Sequence, residues 1–140
     1  MCRMRGLEAW AKNGDGEVMD LRPAKRRKLP KKRKLVTNEA KIGYLKVYIT
    51  TGEYPDGSLG ELFLDLKKPG STLQGLLTCF AISVSLGLQH GVALEKYVRI
   101  FKDMKFEPSG KVKHESVKEA SSVVDLVFRV IENDYLKREA

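Results

Sequence analysis

The residues of this chain that could do chemistry are two cysteines, two histidines and a scatter of carboxylates, and their spacing does not build a shared centre. Cys2 and Cys79 are too few and too far apart for a disulfide framework or a zinc site. Cys79 falls inside an apolar helical pattern, where a buried structural thiol is expected. His90 stands at an expected helix end, where its charge would suit the helix dipole, and His114 sits in a polar segment; neither has a nucleophile or a ligand set nearby. The acids Glu53, Asp56, Glu61, Asp65 and Glu107 spread over an expected hairpin and loop, so a surface location is expected for them. Glycines 52, 57, 60, 70 and 75 do not form a phosphate-cradling loop. No constellation here reads as a catalytic site.

One chemical feature is concentrated. Residues 1–43 hold 13 Lys and Arg against 5 Asp and Glu, whereas residues 44–140 hold 13 of each, so the whole formal charge of +8 lies in the N-terminal third. Lys25, Arg26, Arg27, Lys28, Lys31, Lys32, Arg33 and Lys34 form a run broken only by Leu29 and Pro30. Such a run suits contact with a phosphate-bearing or protein partner, and equally a solvated linker. It has no interleaved aromatics, so it offers no base-stacking platform.

The elements that must position these residues are legible from pattern. Ser71 and Gln74 have the spacing of a capping box, which starts a helix near Thr72. Its core stripe is Leu73, Leu76, Leu77, Phe80, Ala81, Val84 and Leu88, with Gly91 as the C-terminal stop. A second helix over 93–104 buries Leu94, Tyr97, Val98 and Phe101 before Pro108 and Gly110. Alternation around Leu45, Val47 and Ile49, then around Leu62, Leu64 and Leu66, predicts a hairpin of strands 44–50 and 61–66. Its loop carries Pro55, Asp56 and Gly57, so it exceeds a two-residue turn and invites a bulge. A second capping pair, Ser116 and Glu119, predicts a helix over 117–136 with Ala120, Val123, Val124, Val127, Phe128, Ile131 and Tyr135 on one side.

The expected fold class is therefore α+β, a small antiparallel hairpin or sheet packed on three helices (72–90, 93–104, 117–136). A third strand is expected from around Glu17 to Leu21, because two strands alone are marginal. The division is a basic, flexible leader over 1–40 and a folded domain over 41–140. There is no secretion signal, and no apolar run of the ~18 residues that a membrane span needs, so a cytoplasmic chain is expected.

The string TGEYPDGSLGELFLDLKKPGSTLQGLLTCFAISVSLGLQHGVALEKYV, followed by KFEPSG, resembles the C-terminal TSCPD-type domain of adenosylcobalamin-dependent ribonucleotide reductases. The resemblance extends back to the RRKLP of Arg26–Pro30 and forward to Leu136, about four fifths of the chain. Its most specific pieces are Thr51, Gly52, Glu53 and Tyr54, the SLGLQHG of Ser85–Gly91, and Phe106, Glu107, Pro108, Ser109 and Gly110. It implies an accessory or split-off module of deoxyribonucleotide synthesis. The catalytic chain would be its partner and would carry the adenosylcobalamin. The family's chemistry needs a thiyl-forming cysteine and a redox cysteine pair, which Cys2 and Cys79 do not supply. There is no Thr-Ser-Cys-Pro-Asp string, so no thiol role carries over. The alternative reading is a small basic nucleic-acid-binding protein acting through the Lys25–Lys34 run. In that case affinity falls steeply with salt.

Overall fold

Leu45, Val47 and Ile49 are buried on one strand and Leu62 and Leu64 on the next, while the residues between them face outward, as the alternation requires. The computed structural model describes residues 10–12, 18–20, 25–67 and 70–137 of the 140-residue chain. Its strands are β1 (Trp10–Lys12), β2 (Val18–Asp20), β3 (Leu35–Ile42), β4 (Leu45–Glu53), β5 (Leu59–Leu66), β6 (Gly110–Lys113) and β7 (Glu119–Ala120). Its helices are α1 (Thr72–Gln89), α2 (Leu94–Phe101) and α3 (Val123–Ile131), the last continued by a π-helical turn, Glu132–Leu136. The main sheet is antiparallel, ordered β5-β4-β3-β6-β7. The α+β expectation holds, with a larger sheet than the hairpin.

The hairpin loop is long, as its composition suggested. The β4–β5 register shifts between Gly52 and Glu53, the bulge, and Gly57 takes a positive φ of 84°. The third strand is not the one expected near Glu17–Leu21. β2 pairs with β1 in a separate two-stranded sheet, and Glu17 and Leu21 lie outside the described residues. The third strand of the main sheet is β3, which runs across the expected 40/41 boundary because Ala40 and Ile42 are buried beneath the helices.

α1 begins as its capping box dictates, with Ser71 Oγ accepting from the Gln74 amide at 3.1 Å, and Gly91 follows its C-terminus with φ +94°. Gln74 does not return to the cap. Its side chain turns to β5, accepting from the Leu66 amide and donating to the Leu64 carbonyl at 3.0 Å. Ser85 Oγ accepts from the Leu62 amide at 2.8 Å, and Gln89 Nε2 donates to the Gly60 carbonyl at 3.0 Å. Residues 60, 62, 64 and 66 carry the backbone groups of β5 that face away from β4. One side of α1 thus closes the edge of the sheet.

Leu77, Ala81 and Val84 fill the core, but Leu76 is 63% exposed and Cys79 is exposed too. Both were expected inside. The polar stripe of Gln74, Ser85 and Gln89 rotates the helix so that its third side, which is uncharged and holds Leu76, Ile82 and Leu86 beside Gly75 and Ser83, faces out. α1 is long and uncharged enough to pass for a membrane span by length and composition, contrary to the reading that no such run exists.

α2 ends at Phe101, three residues short of expectation, because Lys102 is extended and Asp103 adopts φ +68°. The largest correction concerns the last helix. Ser116 and Glu119 do not cap it, and Val117 to Ser122 are not helical. The Ser116 and Val117 amides donate to His114 Nδ1 at 3.1 and 3.2 Å, and Lys111 and Gly110 pair with Glu119 and Ala120 in the sheet. The helix starts at Val123 with Ser122 as its cap, the hydroxyl accepting from the Asp125 amide at 3.0 Å. Asp125 also accepts from the amide of Ser121, the residue before the cap, at 2.7 Å, so this Ser-x-x-acid cap stands six residues further along the chain than expected.

Two contacts lock the helices. Phe80 of α1 lies edge-on to Phe101 of α2 (5.2 Å between centroids) and to Phe128 of α3 (6.1 Å). Asp125, fully buried, also accepts from the Asp103 amide at 2.7 Å and from Arg129 Nε at 2.9 Å, and Arg129 reaches on to Asp103 at 2.6 Å. Burial alone would push the Asp125 carboxyl up. The Ser121 and Asp103 amides and the Arg129 guanidinium outweigh it and hold the carboxyl below its ordinary range.

Two predictions follow from these locks. Phe80→Ala should lower stability by about 3 kcal/mol in urea denaturation, since it removes the ring that joins three helices. Asp125→Asn should cost about 2–4 kcal/mol at pH 7, by leaving amide donors facing an amide group and Arg129 with only the exposed Asp103 as its charge partner. A depressed folded-state pKa contributes stability above the unfolded value of about 4 and loses it as pH falls through the folded value. The gap between the wild-type chain and Asp125→Asn should therefore narrow below about pH 4, as measured by melting temperatures across a pH series.

Candidate docking site

The basic run is where the structure departs most from a solvated leader. From Lys25 to Lys34 the chain passes over the end of α1 and along β4 and β5, bending at Lys31 and Lys32, and is held by its arginines and its backbone. The Arg27 amide donates to the Gln89 carbonyl at 2.8 Å, and Arg26 Nε donates to Gln89 Oε1 at 2.7 Å. Gln89 therefore ties this strap to β5 through its bond to Gly60. The Arg27 guanidinium lies 4.0 Å above the Tyr54 ring and reaches Asp56 at 3.4 Å, while the Tyr54 hydroxyl donates to the Arg27 carbonyl at 2.5 Å. Arg33 grips Glu61 with two nitrogens, at 2.6 and 2.9 Å, and that carboxylate raises the guanidinium's pKa further. The Glu53 amide then donates to the Lys34 carbonyl at 3.0 Å, and the strap passes into β3.

The charges of the run are thus sorted. Arg26, Arg27 and Arg33 act as clips along the surface of the domain, the first two still exposed and Arg33 half-buried. Lys25, Lys28, Lys31, Lys32 and Lys34 are exposed and form no side-chain ion pair among the described residues.

Thr51, Gly52, Glu53 and Tyr54 form the seat of this strap and are all buried. Glu53 was expected at the surface; it is 5% exposed, with its Oε1 2.8 Å from the Tyr135 hydroxyl. The same hydroxyl lies 2.8 Å from Thr51 Oγ1, so the end of the chain closes on the same strand. The glycines are explained by close approach. A Cβ on Gly52 would stand 2.5 Å from Glu61 Oε2, and one on Gly60 would stand 2.5 Å from the Tyr54 ring. Each makes room for a residue that holds the strap.

Phe106 to Gly110 form a second feature, elsewhere in the fold. The Phe106 amide donates to the Ser121 carbonyl at 3.1 Å, the Glu107–Pro108 bond is cis, and Pro108 is buried beside Gly43. Glu107 accepts from the Ser109 amide and hydroxyl at 3.2 and 3.1 Å. Phe106, Glu107, Ser109 and Gly110 line a cleft of about 590 Å³ with Lys105, Glu119 and Arg129. The loop leads into β6, across β3 from the strap's seat on β4 and β5, so the two motifs do not form one site.

Neither histidine joins a reactive group. His90 Nδ1 lies 2.7 Å from the Leu86 carbonyl, and His114 Nε2 lies 3.0 Å from Asn38 Oδ1 while its Nδ1 takes the loop amides. Among the described residues no three His, Cys, Asp or Glu side chains converge as a metal site would require. Sequence reasoning missed Gln89, Glu61 and Asp125. Gln89 stands in the SLGLQHG string that carries the resemblance, whereas Glu61 and Asp125 are marked only as acids within apolar elements.

A sequence profile of the TSCPD domain matches residues 22–135, from just before the strap to the tyrosine that closes on Thr51. Among curated relatives, the vitamin B12-dependent ribonucleotide reductase of Bradyrhizobium diazoefficiens is 48% identical over 114 residues, 81% of this chain and 9% of its own length. That of Streptomyces avermitilis is 43% identical over 132 residues, 94% of this chain and 14% of its own. That of Streptantibioticus cattleyicolor is 45% identical over 123 residues, 88% and 20%. The chain spans about a tenth to a fifth of the length of these relatives, matching their C-terminal parts. No solved structure matches significantly. The strap, its seat, α1 and the closing tyrosine all lie within the matched stretch, and the chain belongs to the TSCPD domain family found in vitamin B12-dependent ribonucleotide reductases.

Proposed function

We propose that this chain is an accessory module of ribonucleotide reduction that acts in the cytoplasm by docking on a reductase catalytic chain. The observation that carries this reading is one of proportion: 94% of the chain aligns with only 14% of the Streptomyces avermitilis reductase. What the chain shares with its relatives is an end portion, and the bulk of those proteins lies outside it. On this reading adenosylcobalamin and the radical chemistry it supplies belong to the catalytic partner. The residues present here do not fit that chemistry. Cys79 is the one described thiol, it stands on an open helix face, and no base or second thiol accompanies it among the described residues.

A second reading has its own support in the five exposed lysines of the strap. Lys25, Lys28, Lys31, Lys32 and Lys34 are carried on a segment fixed by its arginines, an arrangement that suits a phosphate backbone. In this reading the chain is a small nucleic-acid-binding protein.

Salt separates the two. The chain should bind a vitamin B12-dependent catalytic chain trimmed of its own matching segment, with an affinity that changes little between 50 and about 200 mM salt. If it instead binds single-stranded DNA with a logarithmic salt slope of about −3 to −4, as five phosphate contacts would give, and ignores the catalytic chain, the second reading replaces the first. The isolated chain should show no cobalamin-dependent reduction of ribonucleotides in a turnover assay; measurable product would overturn the non-catalytic assignment.

A further inference from the structure

The main sheet carries a row of charge that its own stability does not explain. Lys41 of β3 stands directly opposite Lys46 of β4 on one side and opposite Lys113 of β6 on the other, so three lysines share one row and one face. Like charges placed in this way are unfavourable. Lys67 extends the row, because it follows Leu66, the partner of Val47, and it lines a cleft of about 670 Å³ together with the other three. At ~4.8 Å per strand the four cations span about 14 Å. They stand on the face away from the core, since their neighbours Ala40, Ile42, Leu45, Val47 and Val112 are buried.

Nearby carboxylates do not cancel this charge. Glu39 takes Lys46 at 2.6 Å, Glu115 lines the same cleft, and Asp65 stands opposite Tyr48, one outward position along from Lys46. Lys41, Lys67 and Lys113 are exposed and form no side-chain ion pair among the described residues. An adjoining cleft of about 460 Å³ shares Lys41 and Lys113 with the first and adds Lys111 and Lys118, with no carboxylate in its lining, although Lys111 stands opposite Glu119 on β7. Positive charge therefore continues past the end of the row. Tyr44, 82% exposed in the β3–β4 turn, lines the first cleft. An open ring beside a track of cations is what a base-stacking platform requires, and the Lys25–Lys34 run has none.

We propose that this face binds single-stranded nucleic acid, with phosphates along Lys41, Lys67 and Lys113 and a base stacked on Tyr44. The row is longer than one phosphate and opens toward Lys111, which suits a chain of phosphates better than a single nucleotide. Lysines suit it as compact charges, and the ring selects the single strand, because bases in a duplex are already stacked. The inference goes beyond the docking reading and does not need it. The face is also separate from the strap: Lys34 and Lys41 lie at opposite ends of β3, roughly 24 Å apart at ~3.4 Å per residue.

The test measures binding of a fluorescently labelled oligothymidylate to the full chain by anisotropy across a salt series. The double variant Lys41→Gln, Lys113→Gln should bind about tenfold or more weakly at low salt and make the logarithmic salt slope shallower by about 1.4, two phosphates at ~0.7 each. It should melt at or above the parent's temperature, since the like-charge pair is gone. Tyr44→Ala should weaken binding about fivefold or more with the slope unchanged, because stacking releases no counterions. The strap variant Lys28→Gln, Lys31→Gln should keep the parent's slope. An unchanged slope in the Lys41, Lys113 variant, or a loss confined to the strap variant, would move the contact off this face and overturn the proposal. Equal affinity for the same strand annealed to its complement, or for ATP alone, would also overturn it by removing the single strand as occupant. Failure of the parent to bind the oligonucleotide would overturn it as well, and would leave the docking reading standing.

Discussion

Half of the backbone groups of β5 point away from β4, and the fold depends on giving them partners. Left open, that edge would be a row of amides and carbonyls ready to pair with another chain. α1 covers it with Gln74, Ser85 and Gln89, three polar side chains on one side of an otherwise apolar helix. The arrangement has a geometric cost. A helix that gives one side to the core and another to a sheet edge has only a third side left for solvent, and here that side too is apolar. The exposed Leu76, Ile82 and Leu86 are a consequence of how the edge is closed, and they are also the feature that makes the domain look incomplete without a neighbour.

Gln89 links this constraint to the rest. Its amide serves Gly60 on β5, and its side-chain and backbone oxygens take Arg26 and the Arg27 amide, so the strap is fastened to the closed edge. The strap in turn rests on Tyr54 and Glu61, which require glycine at 60 and 52. A run that reads as a charged linker becomes part of the folded surface because three of its eight cations find specific partners. Fixing these residues costs conformational entropy, which the bidentate Arg33–Glu61 pair and the Arg27–Tyr54 stack offset.

At the other end of the molecule Asp125 does the equivalent work for the loops. One buried carboxylate takes the Ser121 amide ahead of α3 and the Asp103 amide after α2, and holds Arg129. The irregular segments around 102–109 and 114–122 are thereby tied to a helix that is itself buried nearly all round. Two Ser-x-x-acid pairs compete in this stretch of sequence. The later one wins because Ala120 is needed in the sheet with Gly110 and because His114 takes the amides that an earlier helix start would have left for Ser116 and Glu119.

The sequence alone determined what depends on neighbours along the chain: the two hairpin strands, the start of α1 at Ser71, its stop before Gly91, the α+β class, and a family resemblance carried by short strings of residues. Those signals are local, set by a period of two, by steps of three and four, or by a cap three residues away. Tertiary structure decided which side of α1 faces inward, since the helix has no charged face to fix its rotation, and the bonds of Gln74, Ser85 and Gln89 to the edge of β5 did so instead. It decided the strap, because the partners of Arg26, Arg27 and Arg33 lie 63, 29 and 28 residues away. It decided β3 and the late start of α3 for the same reason: both answer to strands distant in sequence, and no local pattern records a partner that only folding brings near.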